Sequence, residues 1–203
     1  MEGKAQHIGL FFGSFNPIHN GHLAIADFML AHAGIDALWL VVSPRNPFKD
    51  SISLAPDEDR LEMVRLALEG REGMTACDVE FSLPRPSYTI HTLRRLSSLY
   101  PDVRFDLIIG SDCLEKFDSW KEADAIVRSY YRIVYPRPGT DPDVLRRIIN
   151  GRVVEAPVWD ISSTRIREMV REGLPVDHLM PAPAEGWMRA HGLYRPESEE
   201  FPV

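Results

Sequence analysis

The chain has 203 residues, of which 44% are hydrophobic, and its formal net charge is −7. A chain of that length buries a full core without disulfide or metal staples. Its acidity excludes a general nucleic-acid binder, which needs a Lys/Arg-rich face to displace counterions, so any phosphate site must be local.

The first apolar run, Ile8 to Phe12, is long enough for a buried parallel strand and stops at the small-residue corner Gly13-Ser14. Asn16-Pro17 continues the turn, and after Gly21 the apolar positions Leu23, Ile25, Ala26, Met29 and Leu30 take helical spacing. His19 and His22 therefore stand where a strand hands over to a helix. In an open α/β sheet that corner is where ligands bind, and the helix N-terminus offers unpaired N–H groups to an anion. Glycine at position 21 is expected to let the anion approach the backbone. Neither G-x-G-x-x-G nor a Gly-Lys-Ser/Thr ending is present, which excludes the usual dinucleotide fold and the P-loop.

Ala37 to Val42 reads as a second strand, and the roughly 20 residues between the strands hold one helix, which implies a right-handed βαβ unit. The proline-stiffened loop Ser43-Pro44-Arg45-Asn46-Pro47-Phe48-Lys49 follows, with Arg45 and Lys49 either solvated or turned towards whatever lies over the sheet. Pro56 to Leu68 predicts an amphipathic helix whose Asp57, Glu58 and Asp59 satisfy its dipole. Met74 to Leu83 carries a weaker strand pattern ending in Pro84-Arg85-Pro86. Ser87 is placed to cap a helix with Thr89, Ile90, Leu93 and Leu96 on its inner face. Val103 to Ile109 predicts a strand running into a second glycine corner, Gly110-Ser111-Asp112. For Asp112 two readings stand, an N-cap or a hydrogen bond to a ribose hydroxyl or hydrated Mg²⁺. For Trp120 they are a core aromatic or the wall of a base or pyridine pocket.

Tyr130 to Tyr135 reads as a strand ending in Pro136-Arg137-Pro138-Gly139, where the Arg137 guanidinium suits a carboxylate or phosphate. A short helix from about Pro142 to Ile149 and a last strand over Arg152 to Glu155 follow. Ser162 then caps a helix with Ile161 and Ile166 at staple positions, closed by Gly173-Leu174-Pro175. Arg165 and Arg167 occupy its first two turns with no acid, against the macrodipole; either a bound polyanion resolves that conflict or the small dipole penalties are tolerated. Pro181 to His191 predicts a final helix, and 197–203 an acidic, unstructured tail.

Strands alternating with helices predict an α/β fold, a doubly wound and mostly parallel sheet. One domain spans 1–195, with a small C-terminal helical part from about 161 to 195 and a tail at 196–203. Cys77 and Cys113 lie in different segments without C-x-x-C spacing, which points to free thiols. The start Met1-Glu2-Gly3-Lys4 lacks a signal-peptide core and no run reaches membrane-spanning length, so a cytoplasmic protein with no membrane partner is expected. Oligomeric state stays open.

These motifs resemble the nucleotidyltransferases with HxGH and ISSTxxR signatures, here His19-Asn20-Gly21-His22 and Ile161-Ser162-Ser163-Thr164-Arg165-Ile166-Arg167. Within them the chain resembles the bacterial nicotinate-nucleotide adenylyltransferases, through Gly13 to Ile18, Asn46 to Lys49, Ser87-Tyr88-Thr89, Gly110-Ser111-Asp112, Trp120, Arg137-Pro138-Gly139 and His191-Gly192-Leu193-Tyr194. It departs from them at Asn16 and His91, where Asp is usual, and at Lys121, where an aromatic residue or histidine is usual. The resemblance implies a Rossmann-like fold and transfer of AMP from ATP to nicotinate mononucleotide, giving deamido-NAD and pyrophosphate. It assigns His19, His22, Lys49 and Arg167 to the reaction, and Gly13, Ser14, Phe15, His22, Gly110, Asp112, Ser162, Thr164 and Arg167 to ATP. Thr89, Trp120 and Arg137 are assigned to the pyridine nucleotide. Mg²⁺ arrives with ATP, held mainly by phosphate oxygens rather than by the chain. Nicotinamide mononucleotide as substrate, or a nucleotide sensor without turnover, are the alternatives.

Overall fold

The computed structural model describes residues 6–44, 54–146 and 148–196. The loop residues Arg45 and Lys49 and the tail from Glu197 therefore lie outside the described residues. The strands are β1 (Gln6–Gly13), β2 (Ala37–Val42), β3 (Met74–Cys77), β4 (Val103–Gly110), β5 (Tyr131–Tyr135) and β6 (Gly151–Val153). All pair in parallel, in the order β3-β2-β1-β4-β5-β6. The helices are α1 (Asn20–His32), α2 (Asp57–Ala67), α3 (Thr89–Leu99), α4 (Ala123–Ser129), α5 (Pro142–Arg146), α6 (Ser163–Arg171) and α7 (Ala182–Ala190).

Alternate residues of the central strands feed two separate layers, the signature of a doubly wound sheet. Ile8, Leu10, Leu107 and Ile109 pack with Ile90, Leu93 and Leu96 of α3 and Ile126 of α4. Phe11 and Ile108 pack with Leu23 and Met29 of α1, Leu61 and Val64 of α2, Ile166 of α6 and Met188 of α7. Gly9 makes this closure possible in mid-strand, because a Cβ there would stand 2.6 Å from Ile108 Cδ1 and 2.7 Å from Ile35 Cδ1. The strand order reverses between β1 and β4, so a crevice opens over their carboxyl ends. Among the described residues no helix is long and apolar enough to cross a membrane.

Four local expectations need correction. The strand expected over Met74 to Leu83 ends at Cys77, paired with Val41 one residue before β2 ends, and a 3₁₀ turn over Val79–Ser82 carries Glu80 inward. Ser87 does not cap α3; Tyr88 holds that position with no side-chain bond, and Ser87 is buried with its Oγ unpartnered. The helix expected to reach Ile149 stops at Arg146, since the carbonyl of Ile149 accepts from the buried Arg132 and Asn150 (φ +50°) turns the chain into β6. The last strand is Gly151–Val153, paired with Arg132–Val134, rather than Arg152 to Glu155.

Candidate active site

His19 occupies the N-cap of α1 and forms a reciprocal capping pair with His22. The backbone N–H of His22 donates to His19 Nδ1 at 3.3 Å, and that of His19 donates to His22 Nδ1 at 3.3 Å. The two rings stack with centroids 3.6 Å apart. A ring nitrogen that accepts from a backbone N–H carries no proton, so in the neutral rings the proton is assigned to Nε2. Burial, with the nearby Arg137 cation second, pushes the His19 pKa down to about 4, which keeps this ring neutral near pH 7. Gly21 lines the cleft beside the pair, and a Cβ there would stand 3.1 Å from His19 Nδ1 and 3.5 Å from Ile161 Cβ.

The depressed His19 pKa makes a stability prediction. The unfolded chain takes up the proton below about 6.5 and the folded chain only below about 4, so His19 costs stability as pH falls through that window. The loss reaches about 3 kcal/mol at its lower end. Urea unfolding at pH 4.5 and pH 7.5 should show a smaller acid loss in His19→Gln than in the wild type; equal losses would place the proton uptake elsewhere.

The second helix N-terminus is brought against the first by bonds of long sequence separation. Ser162 caps α6, its Oγ accepting from Arg165 N at 3.2 Å, and Ile161 and Ile166 share one hydrophobic cluster as the staple requires. Ser163 Oγ donates to the carbonyl of Pro17 at 2.9 Å, and Arg167 donates to the carbonyl of Asn16 at 2.8 Å and to Thr164 Oγ1 at 3.3 Å. The Asn16 amide oxygen in turn accepts from Ala55 N at 3.0 Å and from the Tyr194 hydroxyl at 2.6 Å. Asn16 thus ties the first turn of the chain to a residue near its end. Tyr194→Phe is expected to lower stability by about 1 kcal/mol, the net worth of one such bond, measurable as a fall in Tm; an unchanged Tm would mean water replaces the hydroxyl without loss.

These residues border one cleft of about 470 Å³, lined by Gly13, Ser14, Phe15, His19, His22, Ser162, Thr164 and Arg167, together with Trp159 and Arg137. A second cavity of about 220 Å³ adjoins it, lined by Thr89, Trp120, Arg137, Tyr88, Lys121, Ser43, Glu80 and Ser87. Gly110 and Asp112, expected on the adenosine side, line this second cavity, where the Asp112 carboxylate stands 3.8 Å from Arg137 Nε. Trp120 packs on buried Phe117, with centroids 5.0 Å apart, and lines the second cavity. Phe11, Phe12, Gly13, Ser14, Tyr135 and Arg137 line both spaces, so the two meet at Arg137. Ser111 holds that arginine's loop: its Oγ accepts from Arg137 N at 2.7 Å and bonds Thr140 Oγ1 at 2.7 Å. Lys49 lies outside the described residues.

Three supporting residues were not singled out from the sequence. Arg60 is fully buried and donates to four backbone carbonyls, those of Ser14 (2.5 Å), Ser43 (2.8 Å), Pro44 (3.1 Å) and Ala55 (3.0 Å), and to Asp57 at 2.5 Å. It binds the loops after β1 and β2 to α2. A signal existed, since Arg60 stands in the inward stripe with Val64 and Ala67, where a charge is out of place. Glu80 is 2% exposed; its Oε1 accepts from Thr92 Oγ1 at 2.7 Å, its Oε2 has no hydrogen bond, and burial pushes its pKa up. Ser111, between Gly110 and Asp112, carries no local signal of its bonds to Arg137 and Thr140.

A parallel sheet wound on both faces, with two helix N-termini and their histidines and arginine around one cleft at the switch point, defines a nucleotide-handling α/β protein. Residues 10–169 match the cytidylyltransferase-like family, and the chain belongs to it. It is 48% identical to a probable nicotinate-nucleotide adenylyltransferase of Bacteroides fragilis, over 85% of this chain and 86% of that one. It is 46% identical to a protein of the same name from Cytophaga hutchinsonii, over 92% and 97%. In fold it matches the Plasmodium falciparum nicotinic acid mononucleotide adenylyltransferase complexed with NaAD, with TM-score 0.78 over 93% of this chain and 97% of that one at 19% identity.

Proposed function

We propose that this chain is a nicotinate-nucleotide adenylyltransferase. The observation that carries the reading is the junction at Arg137, where a cleft flanked by two helix N-termini opens into a cavity walled by Trp120 and Tyr88. ATP takes the first space and nicotinate mononucleotide the second. The relatives named for this reaction, aligned over most of their length, support it.

The transfer needs positioning and charge stabilisation rather than a covalent nucleophile. An oxygen of the mononucleotide 5′-phosphate attacks the α-phosphorus of ATP and forms a P–O bond. The bond from that phosphorus to the α,β-bridging oxygen breaks, and pyrophosphate leaves with the electron pair. The Nε2–H groups of His19 and His22 donate to the α-phosphate oxygens as charge develops. Ser162, Thr164 and Arg167 hold the β- and γ-phosphates, with Gly13, Ser14 and Phe15 forming the floor. Lys49 assists at the phosphates. Arg137, common to both spaces, brings the attacking phosphate up to the α-phosphate, while Thr89 and Trp120 hold the pyridine ring and Gly110 and Asp112 the sugar beside it.

The chain's donors at the cleft are histidine, arginine, serine and threonine, which suit phosphate oxygens. Among the described residues no group of three or more His, Cys, Asp or Glu could hold a metal ion. Magnesium would enter with ATP, and would supply charge neutralisation on the triphosphate. We place the protein in the cytoplasm.

The test is pyrophosphate release from ATP with nicotinate mononucleotide or nicotinamide mononucleotide. Faster release with the acid is expected. Preference for the amide would reassign the substrate, and ATP binding without release with either would favour a sensor.

A further inference from the structure

The acid and amide mononucleotides differ by one charge, so a cation at the pyridine end of the site favours the acid over the amide. The second cavity offers two cations, Arg137 and Lys121. Arg137 stands at the junction with the cleft, its Nε 3.8 Å from the Asp112 carboxylate. Lys121 lies at the aromatic end. Its Nζ stands 4.6 Å from the centroid of the Tyr88 ring, held by a cation–π contact rather than by a carboxylate. Its chain neighbour Glu122 is engaged by Arg94 at 2.6 Å, and Lys121 makes no ion pair among the described residues. The buried Glu80 carboxyl faces the same cavity, where its Oε1 accepts from Thr92 Oγ1, and burial raises its pKa.

We propose that Lys121 reads the negative charge of the pyridine carboxylate and sets this chain's preference for the acid over the amide mononucleotide. The inference rests on the nicotinate-nucleotide reading. An aromatic ring taken up beside Trp120 and Tyr88 carries its carboxylate to an ammonium already poised over an aromatic face. Because Lys121 is exposed at the cavity mouth, the discrimination weakens as salt rises.

The experiment uses the full chain with Lys121→Met and Lys121→Arg. kcat/KM is measured for each mononucleotide at saturating ATP, and the Kd of nicotinate mononucleotide by calorimetry without ATP. Lys121→Met should lower kcat/KM for the acid by about 10- to 100-fold, chiefly through KM, with a matching rise in Kd, and leave the amide within about twofold. Lys121→Arg should restore most of the acid preference. An unchanged acid-to-amide ratio in Lys121→Met, or equal loss for both substrates, would overturn the assignment while leaving the enzyme reading intact. A wild-type chain that turns over neither mononucleotide would overturn both.

Discussion

His22→Ala is expected to lower kcat by about 10²- to 10³-fold while weakening ATP binding only a few-fold, the pattern for loss of a donor aimed at developing charge. The geometry gives the reason for the split. His22 is held by the His19 N–H at Nδ1 and by stacking on the His19 ring, so its Nε2–H is preorganised at the head of α1. In the ground state the triphosphate keeps its contacts with the α6 end of the cleft, and binding survives. Charge building on the α-phosphate in the transition state meets one donor fewer, and only the chemical step slows. Single-turnover kinetics with independently measured ATP affinity check this. An unchanged kcat would remove His22 from the reaction, and a large rise in ATP Kd with unchanged kcat would make it a ground-state ligand only.

Arg60→Met should cost about 3–5 kcal/mol of stability, because deleting one partner of a buried, charged hydrogen-bond network leaves the others without compensation. Asp57 keeps Arg85 at 2.6 Å, but the carbonyls of Ser14, Ser43, Pro44 and Ala55 lose a charged donor in a buried place. Unsatisfied buried acceptors of this kind cost roughly 1–3 kcal/mol each, less where water enters. For a chain of this size the expected fall in Tm is about 10 °C. Arg60→Lys should recover only part of it, since an ammonium cannot reproduce a planar fork reaching several loops. A Tm within about 2 °C of wild type for Arg60→Met would show that these bonds are energetically idle.

The contrast between the two residues explains which features the sequence reveals. β1 and β2 are legible because strands buried on both faces read as short unbroken apolar runs. α6 is legible because Ser162 and the Ile161–Ile166 staple are local signals, and the two phosphate-type helix ends follow from them and from His19 and His22. What escapes is what depends on distant chain. The Tyr194–Asn16 bond joins residues 178 positions apart, and no local pattern announces it. Arg60 shares its helix with three acids that by themselves account for the dipole, and no local pattern shows which loops its guanidinium reaches. The apolar spacing around Glu80 continues a strand pattern and does not show that β2 ends one residue beyond the last β2–β3 pair, Val41 with Cys77. Gly110 and Asp112 follow a strand next to β1, which predicts that they face the crevice but not which of its two spaces they line.

The claim on which the account depends is that residues from the two ends of the chain grip one triphosphate. A crystal structure with an ATP analogue carrying a methylene in place of the α,β-bridging oxygen tests it. One nucleotide should lie in the cleft with an α-phosphate oxygen within about 3.2 Å of His22 Nε2 and a β- or γ-phosphate oxygen within the same reach of Arg167. A triphosphate that contacts one helix end while the other stays bare would contradict it.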